Sequence, residues 1–83
     1  MKHAGHAALA AAENMLCAIR KHESLTEKKY GVFYRRSEAF LHFHEAPAGL
    51  FADLKVSGAW RRFPVNTREE QQNFLAAVEA ALA

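Results

Sequence analysis

His42 and His44 stand two apart within SEAFLHFHEAPAGLFADLKV, the stretch from Ser37 to Val56. Two imidazoles at that spacing on a strand share one face and can bite a single metal ion. Asp53, further along the same stretch, offers the carboxylate that would make a donor set acceptable to zinc. Alternatively the carboxylate orients His42 and raises its pKa, as it does for a catalytic base. The strand residues of that face include no Ser, Thr or Cys, which argues against hydrolase-style nucleophilic chemistry.

What brings these groups together is strand register, because directly opposed residues point to the same face. With Ala46-Pro47-Ala48-Gly49 as a four-residue loop, Glu45 faces Leu50, His44 faces Phe51, His42 faces Asp53 and Leu41 faces Leu54. Pro presets φ and Gly tolerates positive φ, so both suit that turn. Ser57-Gly58 as a two-residue loop sets Asp53 against Arg62 and Lys55 against Trp60. Upstream, a tight turn at Ser37-Glu38 pairs Arg36 with Ala39, Arg35 with Phe40 and Phe33 with His42.

One face then carries Val32, Tyr34, Leu41, Phe43, Leu50, Ala52, Leu54, Val56, Phe63 and Val65, and reads as core. The other carries Phe33, Arg35, Phe40, His42, His44, Phe51, Asp53, Lys55, Trp60 and Arg62. Its four large aromatics among charges and imidazoles are neither core nor ordinary surface.

The flanking elements read as helices. Leu9, Ala12, Leu16 and Ile19, widened by Met15, recur at helical spacing and predict a helix from about Ala7 to His22. Thr67-Arg68-Glu69-Glu70 is a capping box opening a second helix, whose stripe is Phe74, Leu75, Val78 and Leu82. Strands are expected over 30–36, 39–45, 50–56 and 59–65, with Glu23 to Lys29 as a polar connection. The fold class is α+β in the order α-β-β-β-β-α. It is a four-stranded antiparallel meander with both helices packed on one face, a single domain spanning residues 1–83.

The chain has 83 residues, near the lower end for a self-sufficient core, and 51% of them are hydrophobic, which argues for a folded domain. Aromatics among Arg and Lys suggest base stacking. A net charge of +2 and the lack of the usual RNA-recognition strand order argue against nucleic acid. Cys17 is the only cysteine, so an internal disulfide and a Cys-rich zinc site are excluded. Met1-Lys2 and the Ala-rich run to Cys17 look leader-like, but Glu13 and Asn14 interrupt the apolar stretch. No run approaches the roughly eighteen apolar residues of a membrane span. The expectation is a cytoplasmic chain with no membrane partner and no cofactor.

The phrase FLHFHEAPAGLFADLKVSGAWRRFPV, with the earlier LTEKKYGVFYRR, resembles a family of short uncharacterised bacterial proteins. The resemblance covers most of the chain, implies no activity, and transfers no catalytic or binding residue.

Two functions follow from the residues. Phe33, Phe40, Phe51 and Trp60 on one face would form a patch larger than a monomer tolerates, so a second copy of the sheet is expected to cover it. That reading makes the chain a non-enzymatic interaction domain and a homodimer. The alternative is a small-molecule or zinc-like metal site, extending to catalysis, on His42, His44 and Asp53 with Arg35, Arg62 and Trp60 beside them.

Overall fold

A computed structural model describes residues 2–83; Met1, the first residue of the leader-like run, lies outside the described residues. The elements in order are β1 (Lys2–His3), α1 (His6–Ala11), α2 (Glu13–Arg20), β2 (Leu25–Lys29) and β3 (Val32–Arg35). They continue with β4 (Glu38–Ala46), β5 (Gly49–Val56), β6 (Ala59–Pro64) and α3 (Arg68–Leu82). The sheet is antiparallel and six-stranded, in the order β2-β3-β4-β5-β6, with β1 paired to β4. The α+β class holds. The simple four-stranded meander does not, because the sheet gains a strand at its edge and a short one at the N-terminus.

Strand β2 forms where a polar connection is expected. It is an edge strand with little apolar alternation, and Lys28 and Lys29 keep its outer rim charged. Strand β1 fills the slot beside β4 that β3 leaves free, with His3 opposite His44 and Lys2 opposite Glu45. Ala4 N–H extends that pairing by donating to Phe43 C=O at 3.1 Å.

The first helix is divided at Ala12, whose φ and ψ of −104° and 18° leave the helical region. Neither Pro nor Gly marks that point in the sequence. The division lets α1 drop Leu9 against the β2–β3 turn while α2 lays Met15, Leu16 and Ile19 into the core. Gly31 in that turn has φ +78°, and a Cβ there would come within 2.7 Å of Leu9 Cδ2. Only glycine serves both the turn and the close approach. At the other end, Thr67 Oγ1 accepts from Glu70 N–H at 3.1 Å and Glu70 Oε1 accepts from Thr67 N–H at 3.0 Å, the reciprocal capping box.

All three helices share one core with the sheet face that carries Leu41, Phe43, Ala52 and Leu54; Phe74 and Val78 of α3 close it. Among the described residues, no helix covers the opposite sheet face.

The β3–β4 hairpin corrects the face assignment. Its turn centres on Arg36 and Ser37, both left-handed at φ 52° and 69°, not on Ser37-Glu38. Arg35 therefore pairs with Glu38 and Tyr34 with Ala39, after which Phe40 bulges out of the ladder. Beyond the bulge Phe33 meets Leu41 and Val32 meets His42. The extra residue shifts the strand by one and exchanges its faces. Phe33 and Phe40 are buried at 1% and 5% exposure in the helix-facing core. Arg35 turns the same way and donates from Nη1 to Ala81 C=O of α3 at 3.3 Å. Val32 and Tyr34 take their place on the open face. Burial is the physical reason: each phenyl ring gains more from leaving water than Val32 would, while the Tyr34 ring lies beneath the Lys28 ammonium at the solvent edge.

Candidate metal centre on the open sheet face

Three neighbouring strands assemble the site. Strand β4 supplies His42 and His44, β5 supplies Asp53, and β6 supplies Arg62 and Trp60. The registers bring them together as expected: His42 faces Asp53, His44 faces Phe51, Asp53 faces Arg62 and Lys55 faces Trp60. Of the ten residues assigned to this face, His42, His44, Phe51, Asp53, Lys55, Trp60 and Arg62 are on it, whereas Phe33, Arg35 and Phe40 are not.

The His42 and His44 rings lie edge to face with centroids 4.6 Å apart. His44 Nε2 is 3.1 Å from Asp53 Oδ2. One donor atom from each of His42, His44 and Asp53 falls within 4.8 Å of the others. Asp53 is the only buried charged side chain among the described residues. Arg62 compensates it with two parallel bonds, Nε to Oδ1 at 2.8 Å and Nη2 to Oδ2 at 2.9 Å. The guanidinium holds the Asp53 carboxyl below the usual range against the opposing effect of burial. Each carboxylate oxygen has two lone pairs, so the Arg62 bonds leave acceptor capacity on both.

Asp53 does not raise the pKa of His42 overall. Burial, reinforced by repulsion from His44, pushes it below the ordinary imidazole value and outweighs the pull of Asp53. His42 is therefore neutral at pH 7 and keeps a free ring lone pair. That suits a metal ligand better than a charged relay. Trp60 roofs part of the site, its ring 4.6 Å from that of His42, while Lys55 Nζ sits 5.0 Å from the indole.

Reading the strands alone misses His3. Its ring lies 5.2 Å from His44 and 5.9 Å from His42, because β1 pairs exactly where β3 has ended. A two-residue strand has no periodicity to betray it, and His3 reads instead as part of a frayed terminus. Two polar atoms complete the description. Nδ1 of His42 and Nδ1 of His44 are both buried and neither has a hydrogen-bond partner among the described residues.

No protein-family model, curated protein or solved structure matches the chain. The reading of the site therefore rests on its own geometry.

Proposed function

We propose that the open face binds one divalent transition-metal ion of the zinc class through His42, His44 and Asp53, with His3 as an adjacent fourth donor. One observation carries the proposal: two imidazoles, each with a buried Nδ1 that has no hydrogen-bond partner among the described residues, bring a donor nitrogen apiece within 4.8 Å of each other and of an Asp53 oxygen. Buried polar atoms nearly always have a partner, and two orphans in one cluster suit a ligand that accepts lone pairs. Ligand atoms around a tetrahedral zinc lie roughly 3.3 Å apart, so donors that lie within 4.8 Å of one another would draw closer to close on an ion. Neutral imidazole and ionised carboxylate are the protonation states such an ion requires.

Isothermal titration of zinc into the metal-free protein tests this. One-to-one binding is expected, with large losses of affinity in His42→Gln and His44→Gln. Absence of binding would overturn it. So would binding that survives in those variants and disappears in His3→Gln, His6→Gln, since that would place the metal on the N-terminal residues.

A second reading keeps the face as a homodimer seam. It is favoured by Trp60, the one large hydrophobic residue exposed among those described, at 43%. With Phe33 and Phe40 in the core, the seam would rest on Phe51 and Trp60. Light scattering across a concentration series separates the two readings: zinc-independent dimerisation supports the seam.

A further inference from the structure

Beside the metal cluster the sheet is incomplete. Strand β3 occupies the flank of β4 as far as Val32, opposite His42, and β1 resumes it at His3, opposite His44. A cleft of about 750 Å³ opens at this seam, within the range of small-molecule sites. Val32, Tyr30 and Tyr34 give it apolar walls, and His3 is shared with the histidine cluster. Lys28 and Lys29 stand at its rim, and no carboxylate lines it. Neither lysine forms an ion pair among the described residues. The Lys28 ammonium lies 4.8 Å from the centre of the Tyr34 ring, which orders it over the cleft wall.

We propose that this cleft binds a small organic anion: an apolar or aromatic body lying against Tyr34 and Val32, with a phosphate or carboxylate on the ammonium groups of Lys28 and Lys29. Two lysines without ion pairs, beside aromatic walls in a cleft that no carboxylate lines, select that chemistry over a neutral or cationic ligand. The inference goes beyond the metal reading and does not depend on it, because the lysines and tyrosines are not metal donors in the cluster.

The test uses the metal-free 83-residue chain with phenyl phosphate, benzoate and phenol as probes, followed by amide chemical shifts. Phenyl phosphate or benzoate is expected to shift His3, Val32 and Tyr34, with phenol much weaker. Stronger binding of one anion identifies the head group. Lys28→Glu, Lys29→Glu, checked for unchanged far-ultraviolet circular dichroism, should weaken the anion by about tenfold or more. Raising the ionic strength should weaken it in the wild-type chain as well, a check that needs no variant. Equal shifts with phenol, no shifts at these residues, or anion binding indifferent to both salt and charge reversal would overturn the proposal. If zinc fails to bind while phenyl phosphate still does, the metal reading falls and this one stands.

Discussion

Arg62 holds Asp53 through a two-pronged bond across the β5–β6 ladder, with Nε and Nη2 at 2.8 and 2.9 Å from the two carboxylate oxygens. The partners are unequal: the Asp53 side chain is 9% exposed, that of Arg62 49%. The arginine thus satisfies a buried anion from a half-solvated position, and it competes with any cation for the same oxygens.

That competition makes a prediction with opposite signs. Arg62→Met should measurably destabilise the fold, because the buried Asp53 loses its main counter-charge. The same substitution should tighten zinc, since the freed carboxylate is a better ligand. Chemical denaturation and calorimetry read the two effects separately. If zinc affinity falls along with stability, Asp53 is not a ligand.

The bulge at Phe40 makes a second prediction. Phe33→Ala should cost about 3–5 kcal/mol, the range for emptying a packed aromatic site. Phe51→Ala, on the half-buried open face, should cost clearly less. Similar losses for the two in urea denaturation would restore Phe33 to the histidine face.

Much of this arrangement is legible in the sequence, and the failures have a common cause. The β4–β5 and β5–β6 registers follow because Pro47, Gly49 and Gly58 mark their turns. The first loop is two residues, Pro47-Ala48, not the expected four, because Ala46 pairs with Gly49; Gly49, which opens β5, and Gly58 have positive φ, 136° and 82°. The β3–β4 turn carries no such mark: Arg36 and Ser37 adopt left-handed backbone without glycine. A bulge then inserts one residue that strict alternation cannot register. Phe33, Arg35 and Phe40 are misplaced by that single event, while His42, His44, Asp53 and Arg62 lie beyond it and keep their faces. Strand β2 and His3 escape notice because a polar edge strand and a two-residue strand lack a hydrophobic period.

A third prediction concerns the capping box at α3. Thr67→Ala should cost on the order of 1 kcal/mol by leaving the Glu70 amide without its acceptor. An unchanged denaturation midpoint would show that the cap contributes nothing to the folded state.

Acid stability supplies a fourth. Glu27 accepts from Arg20 Nε at 2.6 Å and from Gly31 N–H at 2.9 Å. Arg20, more than the amide, holds its pKa below the unfolded value. The folded state therefore binds this proton less readily than the unfolded one. The resulting stability is fully present above the unfolded pKa and is lost as pH falls through the folded one. Glu27→Gln should destabilise the protein at pH 7 and flatten its stability profile on the acid side. An acid limb as steep as that of the wild type would assign the effect to other carboxylates.

The most direct test of the proposed metal site is the ring-nitrogen spectrum of the histidines as zinc is added to one equivalent. Metal binding predicts that His42 and His44 shift together and saturate at that ratio, with His3 following and His22 unmoved. Trp60 fluorescence should change in step, given its contact with the His42 ring. Ring nitrogens of His42 and His44 that stay where they are while zinc is in excess would contradict the account.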